Sequence, residues 1–212
     1  MSDNISEQFF KRFYMIFGEK FYDMLSKMSP WRQSLFALVL AQRQYPNYAL
    51  WAEVENISGG VHAFNKTLDI LWEFHSDKFN TIDLEKVLDE FEPYMLDDEK
   101  NDLSVGDLFS LDATLSLSAS IIAIILHEGE EAEMASRASL SGVIRKIEQE
   151  TDREYTDEEF REMQSVDNEV NFQVELYELL EKSSRGEELV KKLKILAFNN
   201  GVSNIGIAVE KD

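Results

Sequence analysis

Residues 108–127 read LFSLDATLSLSASIIAIILH, and the reading of this stretch decides the fold. It contains no proline, no glycine, no lysine and no arginine. Apolar side chains fall on nearly every face of the helix it would form, so that helix belongs inside a bundle. The apolar run 111–126 is broken by Asp112, Thr114 and serines, and it is shorter than the roughly 20 residues a bilayer span needs. A buried central helix predicts an all-α chain. Asp112, Ser116, Ser120, Ala123 and His127 share one side of it. A buried Asp112 demands a cation, and Arg43 and Arg32 are the expected partners.

The flanking sequence supplies the helices that cover it. Upstream, 97–107 reads as an acidic loop, 81–93 as a helix with Leu84, Val87, Leu88 and Phe91 on its core face, and 61–77 as a helix burying Phe64, Leu68, Leu71 and Trp72. Ser29-Pro30 is an N-cap followed by a first-turn proline, opening a helix that runs to about Gln44. Tyr45-Pro46 is expected to break that helix and start another over 46–55, because proline disfavours helical backbone in the residue before it. Phe9, Phe13, Phe17 and Phe21 recur every four residues in an N-terminal helix within 1–28. Downstream, 130–149 is amphipathic, and Thr156 and Glu159 form a capping box that opens a helix bending near Ser165. The last helix starts after Gly186 and is capped by Gly201; 203–209 reads as extended. The sum is one all-α domain over 1–212, a bundle of about eight to ten helices with a short extended C-terminal tail.

Composition narrows the function. There is no cysteine, which excludes disulfides, thiolate nucleophiles and thiolate metal sites. Acids outnumber bases 41 to 21, a net charge of −20 that repels phosphate backbones and anionic lipid, so neither nucleic acid nor membrane is an expected partner. The N-terminus shows no basic start and no small-residue cleavage site, which points to the cytoplasm. Sixteen of the 24 aromatic residues lie in the first 80, a concentration that suits a protein–protein surface, with a homodimer as the expected state.

No catalytic signature is present: no zinc-protease pair, no di-iron Glu-x-x-His, no phosphate or dinucleotide glycine loop and no nucleophile elbow. His62, Lys66, Asp69 and Glu73 share one helix face, either a carboxylate site for a cation or a solvated stripe of ion pairs. The leading expectation is a non-enzymatic interaction protein without a cofactor. The alternative is an enzyme or small-ligand binder with a cleft between the helices at 61–77 and 108–127. Arg43, Tyr45, Asn47, Tyr48, Asp69, Glu73, Asp112 and Ser116 would line it, with Mg²⁺ as its cation.

Three islands stand out from this generic background: Arg43-Gln44-Tyr45-Pro46-Asn47-Tyr48, Leu68-Asp69-Ile70-Leu71-Trp72-Glu73 and Ser203-Asn204-Ile205-Gly206-Ile207. With Asp112-Ala113 at the start of the buried helix, their order and spacing resemble the YjaG-like family of uncharacterised bacterial proteins, also called domain of unknown function 416. The likeness covers about 21–209, and the Phe-rich segment before it reads as an extension. The resemblance implies a bacterial, soluble, all-helical protein. It carries no activity, substrate or catalytic residue.

Overall fold

Ser29 and Pro30 start the longest helix of the chain, as their sequence dictates. Ser29 is extended, and its carbonyl accepts from the Arg32 and Gln33 amides. The structure, a computed structural model, describes residues 16–77, 81–96 and 102–208. Among these residues there are nine α-helices and no strand. They are α1 (Glu19–Ser26), α2 (Pro30–Val54), α3 (Gly60–Ser76), α4 (Leu84–Phe91), α5 (Val105–Ile125), α6 (Glu131–Thr151), α7 (Asp157–Arg161), α8 (Gln164–Lys182) and α9 (Glu187–Phe198). Short 3-10 turns follow α4 and α9.

The core is a three-helix stack. Helix α5 packs along α2 more extensively than any other pair, and α6 packs on both. Leu35 to Ala41 are fully buried, so α2 has no solvent face over that span. By length and composition α5 is apolar enough to cross a membrane, but 61% of its most apolar 18-residue stretch is buried against other helices. Helices α3, α8 and α9 pack against the outside of this stack.

Two boundaries differ from expectation. Pro46 does not break the chain: α2 runs through it to Val54. A mid-helix proline costs about 3 kcal/mol through its missing N–H and its clash with the preceding turn. Here Pro46, Asn47 and Tyr48 are all buried and cross-linked: Asn47 donates to Asn204 Oδ1 (3.0 Å) and Tyr48 to the Tyr94 carbonyl (2.8 Å). Tertiary packing overrides the local preference. Helix α5 in turn begins three residues before Leu108, inside the stretch read as loop. Ser104 and Asp107 form a capping box, and Asp107 Oδ1 also accepts from the Trp51 indole (2.9 Å), which fixes the start of α5 to α2.

Smaller differences follow the same logic. Gly18, at φ +85°, separates α1 from what precedes it, and Phe9 and Phe13 lie outside the described residues. The bend near Ser165 is a full break at Met163 between α7 and α8. The left-handed cap of α9 is Asn199 rather than Gly201. After it, Val202 and Ala208 pair as an antiparallel bridge, and the tail between them turns back on itself at Gly206 (φ +84°). Ser203 Oγ accepts from the amides of Ile205 and Ile207 inside that turn.

Gly60 opens α3 where Tyr48 and Ile57 crowd it. A Cβ there would stand 2.7 Å from the Tyr48 hydroxyl and 2.9 Å from Ile57 Cγ2. Gly60→Ala should therefore destabilise by about 1–3 kcal/mol in denaturant titrations, despite the better helix propensity of alanine. Tyr48→Phe in the same background should relieve part of the loss, because the nearest clashing atom is gone.

Candidate functional site

Helical spacing puts Arg43 and Asn47 on one face of α2, and that face meets a stripe of small residues on α6. Ala135, Ser136, Ser139 and Gly142 are buried there. Ser139 Oγ donates to Glu169 Oε1 of α8 (2.6 Å), and Gln173 donates to the same oxygen (2.8 Å). Arg43 sits 3.7 Å from Glu169 Oε2 with its guanidinium 3.8 Å over the Phe172 ring. Asn204 of the C-terminal turn donates to the Ser139 carbonyl (2.9 Å) and accepts from Asn47. One connected polar seam thus joins α2, α6, α8 and the tail. Burial lowers the Arg43 pKa against the pull of Glu169. Arg43 Nε, Glu169 Oε2 and Asn47 Oδ1 have no hydrogen-bond partner among the described residues.

Asp112 lies beside this seam, since a Cβ on Gly142 would touch both its Oδ2 and Asn204 Nδ2. Its partner is Arg145 of α6, one turn past Ser141, and neither Arg43 nor Arg32. Arg43 is held by Glu169, and Arg32 donates to the Leu180 carbonyl (2.9 Å). Ser116 accepts from Gln44 (2.8 Å) and donates to the Asp112 carbonyl (3.0 Å).

The remaining predicted positions go elsewhere. Asp69 and Glu73 are exposed on α3, while Leu68, Leu71 and Trp72 of the same island are buried and the Trp72 indole donates to Gln42. Tyr45 accepts from Asn65 (2.7 Å) and its ring packs on Phe64. The structure therefore brings Arg43, Asn47, Asp112 and Ser116 to one buried region and leaves Asp69 and Glu73 outside it. Among the described residues no group of three or more His, Asp or Glu side chains is placed to hold a metal ion.

A second buried cluster escaped the sequence reading. Ser34 Oγ lies 2.8 Å from His75 Nε2, a spacing that invites a serine-nucleophile interpretation. Ser34 Oγ is also 2.6 Å from the Ser120 carbonyl, which can only accept, so the serine proton goes there. His75 Nε2 then carries a proton and donates to Ser34, leaving Nδ1 as the unpaired buried lone pair. An imidazole that donates to the hydroxyl cannot deprotonate it, and both side chains are fully buried. This is an interhelical clasp of α2, α3 and α5.

The two buried ionisable groups predict a pH signature. Burial, reinforced by the charge of Arg185, pushes His75 down from 6.5 to about 3. Burial pushes Asp112 up from 3.8 to about 7 against the pull of Arg145. Below pH 6.5 the unfolded chain protonates His75 and the folded chain does not, so this group removes stability as pH falls. Above pH 3.8 the unfolded chain ionises Asp112 while the folded chain holds the proton to about pH 7, so this group removes stability as pH rises. The two slopes oppose each other between about pH 4 and 6.5. Relative to the natural protein, Asp112→Asn should make stability rise with pH across that window, by up to about 1.4 kcal/mol per unit. His75→Gln should tilt it the other way. Urea titrations at pH 4.5 and 6.5 read both slopes.

A wide surface depression lies directly outside the Pro46 turn. It is a groove of about 1320 Å³ whose walls include Tyr45, Pro46, Leu50, Val61 and Ile207. A smaller cleft of about 160 Å³, lined by Asn47, Trp51, Val54, Phe109 and Ile207, lies on the other side of Leu50. Leu50 and Val54, one helical turn apart, form an apolar ridge between them at 47% and 66% exposure.

The fold agrees with the comparisons. The model of the family described as "Protein of unknown function (DUF416)" matches residues 20–208. The chain belongs to that family. It is 30% identical over 189 residues to a protein of Escherichia coli described as "Uncharacterized protein YjaG", covering 88% of this chain and 95% of that one. A protein of Haemophilus influenzae described as uncharacterized is 29% identical over 185 residues, covering 86% and 94%. The crystal structure of a DUF416 family protein from Shewanella baltica superposes with a TM-score of 0.77 at 28% identity, over 89% of this chain and 98% of that one.

Proposed function

We propose that this is a non-enzymatic bacterial protein of the cytoplasm that self-associates as a homodimer through the ridge and groove beside the Pro46 turn. The observation that carries it is the exposed apolar Leu50–Val54 ridge standing next to a groove of mixed apolar and uncharged polar lining on one patch. A surface bearing both a knob and a hole is complementary to itself across a two-fold axis, so the ridge of each copy enters the groove of the other. The groove is poor in charge, with Glu53 as the single acid among its lining residues, in a chain carrying 41 acids. Val61 adds to the apolar wall at 37% exposure. Against a carboxylate-based enzyme stands the pairing of Asp112 with Arg145 and the outward position of Asp69 and Glu73. Light scattering over a concentration series tests the reading. It expects a mass approaching twice the 24.5 kDa of the chain. A mass that stays at the single-chain value at all concentrations defeats it.

A further inference from the structure

Between α3 and α4 lies a half-open cleft of about 290 Å³, which shares Gly59 and His62 with the groove beside the Leu50 ridge but is lined by neither Leu50 nor Val54. Its apolar lining comes from Ala63 and Ile70 of α3 and Val87 of α4. Thr67 lines it too, at 4% exposure, and its hydroxyl makes no hydrogen bond to the described residues. Lys66 of α3 donates to Glu90 of α4 at 2.8 Å, and both charges belong to the lining. Three features thus converge: a small cleft with one apolar wall among polar residues, a threonine hydroxyl without a partner among the described residues and two opposite charges at contact distance.

We propose that this cleft binds a free α-amino acid with a small aliphatic side chain. Such a ligand carries a carboxylate and an ammonium on one carbon, the spacing that suits two opposite charges held side by side. Its carboxylate takes Lys66 and the Thr67 hydroxyl, its ammonium takes Glu90, and its side chain lies on Ala63, Ile70 and Val87. The ligand exchanges one protein ion pair for two charge-assisted contacts. The pair it opens is half exposed and contributes little, so opening it opposes binding weakly. The volume sits at the lower edge of small-molecule sites, which excludes nucleotides and suits a metabolite of this size. Glu90 in the lining also disfavours a simple anion; Lys86, 3.8 Å from its other oxygen, is not among the lining residues.

The test is calorimetric titration of the full chain with L-valine and L-leucine, beside isovalerate and isoamylamine, each of which carries only one of the two charges. Thermal shift gives an independent reading, since a ligand that binds only the folded state raises Tm. The proposal expects binding of the amino acids, none of the single-charge analogues, and a loss of about tenfold or more for Lys66→Met and for Glu90→Gln. Thr67→Val, which keeps the shape and removes the hydroxyl, should weaken binding without lowering Tm. It is overturned if no aliphatic amino acid binds at millimolar concentration, if isovalerate binds as well as leucine, or if Lys66→Met and Glu90→Gln bind like the natural chain. Variants at Leu50 and Val54 should leave this binding unchanged, so it stands or falls apart from self-association.

Discussion

Glu169→Leu should lower the unfolding free energy by about 3–5 kcal/mol, the largest loss expected from any single substitution in this chain. The carboxylate is 2% exposed and holds three groups at once: the Ser139 hydroxyl, the Gln173 amide and the Arg43 guanidinium. Leucine leaves Arg43 as a charge without its partner in a place where burial already presses against ionisation. It also strips the acceptor from two buried donors. For a domain of this size the drop in Tm is about 2–4 °C per kcal/mol. Adding Arg43→Met should restore the part due to the orphaned charge and leave the part due to Ser139 and Gln173. Glu169→Gln, which keeps an acceptor oxygen for Ser139, should cost less than leucine. A loss below about 1 kcal/mol for Glu169→Leu would contradict the seam as a stabilising device, since that is the scale of an ordinary surface change.

Leu50→Glu combined with Val54→Glu should abolish dimerisation while leaving Tm of the monomer nearly unchanged. Both side chains are exposed in the single chain, so the folded monomer loses little when they become polar. In the dimer each would be buried without a partner at the centre of the interface, and a charge placed there costs several kcal/mol, enough to weaken association by more than a hundredfold. Equilibrium sedimentation of the double variant reads this. Glu55→Ala, at the edge of the same patch, should have a small effect, because peripheral charges contribute little to interface energy.

How much of this was legible in the sequence depends on the range over which each feature is decided. Helix α5 was plain, because twenty residues that are apolar on nearly every face and hold no lysine, arginine, proline or glycine have one place to go. The Thr156 capping box was readable for the same local reason, and the Ser104–Asp107 box carries the same pattern in a stretch read as loop because of its acids. Pro46 misled, because its local preference is real and is overridden by contacts from residues 46 and 157 positions further along the chain. The need of Asp112 for a cation was readable; the choice of Arg145 over Arg43 was not, since any of the 21 bases satisfies the same electrostatic demand. The Arg43–Tyr48 and Ser203–Ile207 islands stood out singly, and only the fold showed that Asn47 and Asn204 join them. The Leu50–Val54 ridge left no trace in the pattern, because an exposed and a buried leucine on an apolar helix look alike.

The absence of cysteine makes the most direct test clean. A single Val54→Cys substitution places the one thiol of the chain on the ridge, which the proposed dimer would bring beside its two-fold axis, and Ile195→Cys places it on the exposed face of α9, at 77% exposure. Under mild oxidation at a concentration where the natural protein is dimeric, Val54→Cys should convert to a disulfide-linked dimer rapidly and Ile195→Cys slowly. Equal rates for the two, or a dimer that Val54→Cys fails to trap, would contradict association through this patch.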